Sequence, residues 1–214
     1  SWKLYQFHDT SESARVKQTG EIGDNAFLRP DAGNLAAFLF MLQEAHPEDY
    51  SRIVKAIQMV APFFDDFNLR PSPLNPNKIQ LEWREKGSDD YFNASMLSDG
   101  TLRFMCMATL LLQPNLPSTI LIDEPELGLH PYAITLLTGL LRSAAAQTQV
   151  IVATQSVPLV NQFTPEDIVV VDRLAGQSTF RRLEAAEIEN WMDEYGLGDL
   201  WEKNVIGGRP QRAR

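Results

Sequence analysis

The stretch that decides the fold is ILIDEPELGLHP, residues 120–131. It opens with three aliphatic residues, a pattern typical of a buried strand, and then turns abruptly acidic at Asp123 and Glu124. Two adjacent carboxylates at the end of a hydrophobic strand repel each other and lose hydration, which is unfavourable unless a cation or a reaction uses them. The stretch therefore predicts a buried strand that ends in a functional acidic pair.

Short apolar strands alternate with helices on both sides of this stretch. Because such alternation is typical of a parallel sheet covered on both faces, we expect an α/β fold with a mainly parallel sheet flanked by helices. The predicted elements are a capped helix over 98–112, a buried strand over 119–122, a helix over 131–146, a second buried strand over 150–153, a short helix around Leu159 and a third strand over 168–171.

The N-terminal part has a different character. We expect a strand in WKLYQFH (2–8), a loop or partly disordered stretch over 9–25, a helical pair over 34–60 and a hairpin over 79–92, with the phenylalanines at 63, 64 and 67 in the core. The predicted organisation is an N-terminal insertion (1–94), a central α/β lobe (95–186) and a C-terminal helix with a tail (187–214).

The composition of the chain argues against several kinds of protein. The formal net charge of −9 argues against a surface that coats nucleic acid. Cys106 is the only cysteine, which excludes an intrachain disulfide or a cysteine metal cage and suits a reducing cytoplasm. His8 and His46 read as ordinary surface histidines. The apolar runs are too short to span a bilayer, so we expect a soluble, cytoplasmic chain with no membrane partner.

Polar residues follow two successive strands, Asp123 and Glu124 after the first and Gln155 after the second. The carboxyl ends of parallel strands meet at one edge of a sheet, where ligands collect. A strand that ends in Asp is suited to hold Mg²⁺ beside nucleotide phosphates, and an adjacent Glu can polarise a water molecule. The alternative is that Asp123 caps a turn and Glu124 is a surface acid.

A second motif is LSDGTLRF, residues 97–104. Ser98 is well placed to cap the following helix, and Gly100 allows a ligand to approach the backbone closely. The amides from Ser98 to Thr101 would then offer an anion site at the positive end of a helix dipole. The alternative is an ordinary capped helix with a glycine in its first turn.

Taken in order, LSDGT (97–101), ILIDE (120–124), GLHP (128–131) and ATQS (153–156) resemble the second half of an ABC-type ATPase domain. The resemblance is to the soluble RecF/SMC/OLD-like branch, in the group of AAA_21-type ATPases. LSDGT is similar to the ABC signature, ILIDE to Walker B, GLHP to the loop after Walker B and ATQS to the switch motif. The likeness covers residues 95–172 closely and the flanks loosely.

The resemblance implies an ATPase in which two copies, or a copy and a partner ATPase subunit, close head to tail around ATP. Asp123 would coordinate Mg²⁺, Glu124 would be the catalytic base and Gln155 would sense the γ-phosphate. The signature residues Ser98, Asp99, Gly100 and Thr101 would contact ATP held by the partner, and the interface loop would be Gly128, Leu129 and His130. For His130 the alternative is a residue that only begins the next helix.

Two departures from the family pattern matter. No GxxxxGK[ST] occurs in the 214 residues, so we expect the lobe that carries Walker A to be missing from this stretch; a degenerate relative is the alternative. Gln155 stands where many ABC ATPases have a histidine, and glutamine can donate and accept hydrogen bonds but cannot take up a proton. Its alternative is a polar strand-end residue bonded to backbone.

The expected function is Mg²⁺-dependent ATP hydrolysis by an ATP-sandwiched dimer in a DNA-related task such as repair, chromosome maintenance or phage defence. DNA enters by family analogy alone. The alternative is a nucleotide-gated tethering module with little or no hydrolysis. A glycosidase-type acid pair is excluded, because adjacent residues on an extended strand point to opposite faces.

Overall fold

The structure is a computed structural model that describes residues 2–174, 177–191 and 194–208. Its contacts divide the chain into two units, residues 1–153 and 154–214. This division differs from the predicted boundaries at 94/95 and 186/187, which stay predictions.

The first unit contains the two motif-bearing strands and, among the described residues, every helix longer than six residues. In chain order its elements are β1 (Trp2–Tyr5), a 3-10 turn (Arg15–Lys17), β2 (Gly20–Glu21), α1 (Leu35–Ala45), α2 (Pro47–Val60), β3 (Phe64–Phe67), β4 (Pro71–Ser72), β5 (Asn75–Ile79), β6 (Glu82–Glu85), β7 (Tyr91–Asn93), a 3-10 turn (Ala94–Met96), α3 (Asp99–Leu112), β8 (Thr119–Asp123), α4 (Pro131–Ala145) and β9 (Gln149–Ala153).

The central sheet is parallel and has the order β1-β8-β9. Leu4, Leu121 and Ile151 share one register row, and Ile122 on the opposite face is fully buried. The predicted α/β class and the pairing of the two motif strands are therefore confirmed. The predicted burial of 150–153 is wrong, since Ile151 is 47% exposed. The reason is that β9 pairs with β8 alone among the described residues.

The N-terminal elements follow the predicted pattern with two differences. Proline begins α2 as predicted, and β6 and β7 form the predicted hairpin. The stretch 9–25 contains a short strand and a turn with buried Val16 and Lys17, so it is ordered rather than an open loop. Phe64 and Phe67 are in the core as predicted, but Phe63 is 46% exposed.

The second unit is smaller and has its own core. Its elements are α5 (Val157–Val160), a 3-10 turn (Pro165–Asp167), β10 (Val169–Leu174), β11 (Gln177–Arg182), α6 (Ala185–Ile188), a 3-10 turn (Glu189–Trp191) and α7 (Leu197–Glu202). The core consists of Leu183, Ile188, Leu197, Leu200 and Ile206. Within the stretch predicted as a C-terminal helix and tail (187–214), α7 is one helix, and 209–214 lie outside the described residues.

The third predicted strand does not join a parallel sheet. It forms β10, which pairs antiparallel with β11. Val170 is buried while Val169 and Val171 are half exposed, the alternation of a hairpin with one covered face rather than of a strand buried on both faces. Among the helices of the described residues, none combines the length and the apolar character needed to cross a bilayer.

Candidate functional site

The acidic pair lies at the carboxyl end of β8, where the chain leaves the sheet. Asp123 is in register with Ala153, and the Glu124 amide donates a hydrogen bond of 2.8 Å to the Ala153 carbonyl. Glu124 then adopts φ +41°, in the left-handed region that residues other than glycine rarely occupy. Both acids are half-buried. A strained backbone at a half-buried acid is the kind of feature that clusters at functional sites.

The loop after the acids is held by its own backbone. The Leu127 amide donates to the Glu124 carbonyl at 3.2 Å, and the Leu129 amide to the Glu126 carbonyl at 3.0 Å. Gly128 takes φ +75°, a conformation for which glycine is suited. This loop is therefore a defined turn that leads from the strand into α4.

His130 caps α4. Its Nδ1 accepts a hydrogen bond of 3.2 Å from the Tyr132 amide, and Pro131 occupies the first helical position. His130 therefore begins the next helix, which was the alternative role predicted for it. The imidazole remains exposed, and its predicted place at an interface stays a prediction.

The signature residues begin α3 as the sequence predicts. The Ser98 Oγ accepts a hydrogen bond of 3.2 Å from the Thr101 amide and lies 2.8 Å from the Thr101 Oγ1. The Thr101 amide, one of those predicted to face an anion, therefore already donates its hydrogen bond to Ser98. Ser98 and Asp99 are exposed, and Asp99 lies in the first turn, where a carboxylate favours the helix dipole.

The two motifs touch through their glycines. A Cβ added to Gly100 would lie 2.3 Å from the carbonyl oxygen of Gly128, and one added to Gly128 would lie 2.7 Å from the Nη1 of Arg103. The first distance is to backbone and cannot be met without a shift, so glycine at position 100 is required for the backbone contact between the signature turn (98–101) and the loop after β8. The motifs, 28 residues apart at these glycines, form one continuous surface.

His8 also belongs to this edge of the sheet, and its prediction as an ordinary surface histidine is wrong. β1 is parallel to β8, so the residues after β1 arrive beside Asp123. The Nε2 of His8 lies 2.9 Å from the Asp123 carbonyl oxygen. The neighbouring Asp9 is exposed, and hydrogen bonds from Ser11 lower the pKa of its carboxyl. The sequence could have indicated this position of His8. A strand was predicted at 2–8, and the carboxyl ends of parallel strands meet at one edge of a sheet.

Arg103 is a second residue that the motif comparison missed. Its guanidinium donates to the His8 carbonyl at 2.9 Å and to the Leu127 carbonyl at 3.3 Å. It therefore joins α3, the segment after β1 and the loop after β8. The available signal was a lone charged residue in a mostly apolar run, LRFMCMATLLL.

Gln155 is the second residue of the second unit. It is exposed and precedes α5, where the Ser156 Oγ accepts a hydrogen bond from the Leu159 amide at 3.3 Å. β8 ends at Asp123 and β9 at Ala153, and these two residues are in register. Gln155 follows two residues after Ala153. The role of Gln155 stays a prediction.

The acidic edge suits Mg²⁺ that arrives with a nucleotide. Among the described residues no group of three or more His, Cys, Asp or Glu side chains is placed to hold a metal. Mg²⁺ is commonly bound through one or two carboxylates together with phosphates and water, so a single half-buried Asp123 at a strand end fits that ion. Asp123 is the residue that would hold it.

The profile of one protein family, described as "AAA domain, putative AbiEii toxin, Type IV TA system" and designated AAA_21, matches residues 2–161. The chain belongs to the AAA_21 family. The match runs from β1 through the stretches LSDGT, ILIDE, GLHP and ATQS. This AAA_21 chain is accordingly a member of an ATPase family, and membership of that family implies nucleotide binding. No protein with a curated function matches it significantly in sequence.

Solved structures place this AAA_21 chain in the fold of SMC head domains. An SMC ATPase described for ATP-driven dimerization and DNA-stimulated activation superposes with a TM-score of 0.53 at 15% identity, covering 73% of this chain and 96% of the other. The Smc head of Pyrococcus furiosus bound to the C-terminal domain of ScpA gives 0.54 at 15%, covering 77% and 44%. An SmcHead bound to the C-winged helix domain of ScpA gives 0.56 at 16%, covering 84% and 53%.

These likenesses establish a fold like that of SMC head domains. At 15–16% identity they establish the fold alone. The chain spans about half the length of the two Smc heads seen with ScpA, 44% and 53%.

Proposed function

We propose that this chain is an ATP-binding, Mg²⁺-dependent ATPase that works as an ATP-sandwiched dimer. The observation that supports it most is the joint surface formed by the acidic end of β8 and the signature turn, which meet at Gly100 and Gly128. Each element has a separate explanation as a turn or a cap. Their direct contact in a member of an ATPase family favours one site.

Within that site, Glu124 is the general base and Asp123 the magnesium ligand. When bound, Mg²⁺ would neutralise charge on the phosphates. Glu124 would accept a proton from the attacking water, and the residue is half-buried rather than fully enclosed. Gln155 would orient the water or contact the γ-phosphate through its amide, without taking up a proton.

The signature turn is proposed to act on ATP held by a second subunit. Ser98 and Asp99 are exposed, as a surface that meets a partner must be before assembly. Gly128, Leu129 and His130 would lie at the same interface. One structurally similar SMC ATPase is described as undergoing ATP-driven dimerization, and this chain would do the same with a second copy or a partner ATPase subunit.

The phosphate-binding Walker A loop is proposed to come from polypeptide other than these 214 residues, on the same chain or on a partner. The support is β9, whose Val150 and Val152 are half-buried and whose Ile151 is half exposed. An aliphatic strand of this kind, with β8 as its single partner among the described residues, suits pairing with a further strand. The 214 residues alone would then bind ATP weakly and hydrolyse it negligibly.

The biological task proposed is DNA-related, in the cytoplasm, by analogy with an SMC ATPase described as DNA-stimulated. A net charge of −9 means that this chain would not itself supply a broad basic DNA surface. Gln155 favours one second candidate, a nucleotide-gated tethering module with slow turnover, because glutamine cannot replace a protonatable switch residue.

A mixing experiment tests the shared site. Ser98→Arg would place bulk and charge at the partner's phosphate, while a variant with a defective Walker A loop would lose its own nucleotide. Each should be inactive alone, and mixing them should restore turnover, because one composite site of the mixed dimer carries neither lesion. Mixed dimers that form but stay inactive, where one intact site is shown to turn over, would refute the assignment of LSDGT.

A further inference from the structure

The side chain of Arg103 contacts four points of the backbone or side chains around the site. Arg103 lies in α3, five residues after the cap of that helix. Its Nη2 donates to the His8 carbonyl at 2.9 Å and to the Thr10 Oγ1 at 3.2 Å, and its Nε donates to the Phe7 carbonyl at 3.3 Å. Its Nη1 donates to the Leu127 carbonyl at 3.3 Å.

The His8 ring continues this network to the end of β8. A carbonyl oxygen can only accept, so the His8 Nε2 donates its proton to the Asp123 carbonyl across 2.9 Å. Arg103 and His8, here called the Arg103–His8 clamp, therefore connect the signature helix to the backbone of Asp123. On the other side, the Nη1 of Arg103 would contact any Cβ placed on Gly128.

We propose that Arg103 and His8 are positioning residues that fix the signature turn and the Asp123–Glu124 strand end of one chain relative to each other. The proposal rests on the proposed function for what these two parts do. The four acceptors of Arg103 are main-chain carbonyls and one hydroxyl of loops near the site, so its bonds set the path of the backbone. A guanidinium can do this because it presents five donors in a fixed plane, which a lysine ammonium cannot copy.

The clamp has a consequence for the dimer. In an ATP sandwich, the signature turn of a chain serves one nucleotide and its Asp123 and Glu124 serve the other. A clamp that joins both parts therefore touches both composite sites. A lesion at Ser98 reaches only one site, as does a lesion at Glu124, whereas a lesion at Arg103 should reach both.

Amide hydrogen exchange in the 214-residue chain tests the clamp without reference to ATP. In Arg103→Met, the amides of Glu124 and Leu129 should exchange about tenfold faster or more, because the loops that carry them lose a charged donor. Arg103→Lys should recover only part of the protection. Arg52→Met is the matched control, since Arg52 is an exposed arginine on α2 paired with Asp49.

The outcome that overturns the proposal is a folded Arg103→Met protein in which both amides exchange at the rates of the Arg52→Met control. Should Arg103→Met fail to fold, His8→Phe replaces it, because that change removes the bond to the Asp123 carbonyl and leaves the His8 main chain for Arg103. It should speed exchange at Glu124, and His8→Gln, which keeps an N–H donor, should restore protection. No change at Glu124 in His8→Phe would equally overturn the proposal.

A second experiment uses the enzyme complete with its Walker A loop. A dimer of one Ser98→Arg chain and one wild-type chain should keep about half of the turnover, since one site is whole. A dimer of one Arg103→Met chain and one wild-type chain should keep less than about a tenth, with the KM for ATP changed by less than about threefold. Retention of half by both dimers would overturn the coupling.

The two experiments distinguish failure of the proposed ATPase function from failure of the Arg103–His8 clamp. A complete enzyme without ATPase activity would refute the proposed function, and hydrogen exchange would still decide whether the clamp exists. If one intact site does not turn over, hydrogen exchange again decides alone.

Discussion

Glu124 combines a proposed catalytic carboxylate with a strained backbone, and substitution by glycine or alanine separates the two. An L-residue in the left-handed region is destabilised by roughly 1–2 kcal/mol, and glycine escapes this. Glycine in turn loses about 0.5–1 kcal/mol through its greater freedom in the unfolded chain. With φ at +41°, the balance predicts that Glu124→Gly is more stable than Glu124→Ala by about 0.5–1 kcal/mol.

The sign should reverse at an unstrained position. Lys55 is exposed on α2, where glycine is expected to be less stable than alanine by about 1 kcal/mol. Both substitutions at Glu124 should also reduce turnover of the complete enzyme by about a hundredfold or more, because the proposed base is gone. Glu124→Gly should thus show a stability advantage over Glu124→Ala with no recovery of activity.

The sole cysteine provides the assay. Cys106 is buried in α3, and burial raises the pKa of its thiol to about 12, so the native protein should resist alkylation at neutral pH. Its alkylation rate as a function of urea then reports the opening of the first unit, and variants should share the same urea slope. A glycine variant that is less stable than alanine at Glu124 by as much as it is at Lys55 would refute the strain assigned to Glu124.

Three further predictions concern the two motifs. In the complete enzyme, Glu124→Gln should leave ATP binding nearly intact, slow hydrolysis by about a hundredfold or more and trap the ATP-bound dimer, as measured by turnover and sedimentation. Asp123→Asn should instead weaken Mg²⁺-dependent ATP binding, seen by titration with and without Mg²⁺, because a neutral amide is a poor ligand for that ion. Gly100→Ala should destabilise the chain by about 1–3 kcal/mol through its 2.3 Å clash, whereas Gly139→Ala, in open space on α4, should stabilise it by up to about 1 kcal/mol; equal effects in urea unfolding would contradict the Gly100 contact.

The features that could be predicted from the sequence are those with a local pattern. A run of aliphatics that ends in Asp123 marks a strand and its carboxyl end, and Ser98 before an apolar run marks a helix start. Both signals depend on residues within one turn or one strand. For the same reason the pairing of β8 with β9 was predictable, since consecutive strands joined by a helix usually lie side by side.

Features that depend on distant partners were not predictable. The run Ile168 to Val171 suits either a strand buried on both faces or one strand of a hairpin, and periodicity does not separate them over four residues. The hairpin partner, Gln177–Arg182, decides the matter, and it leaves Val171 opposite the exposed Phe180. The burial predicted for 150–153 failed similarly, because burial of a strand depends on what covers it rather than on its own composition.

His8 and Arg103 show a different limit. His8 acts on a main-chain carbonyl, as Arg103 does at three of its four acceptors, and a carbonyl is present whatever the side chain, so these partners leave no mark in the sequence. What the sequence does show is the isolated charge itself: Arg103 is the one charged residue of LRFMCMATLLL, and a half-buried guanidinium in an apolar helix must find acceptors. A charge of this kind close to a motif is therefore a reason to look for loops that it holds. Here Arg103 holds the segment after β1 and the loop that carries Gly128, and His8 in that segment bonds to the Asp123 carbonyl. The residues that orient the site are therefore found through the backbone rather than through the motifs.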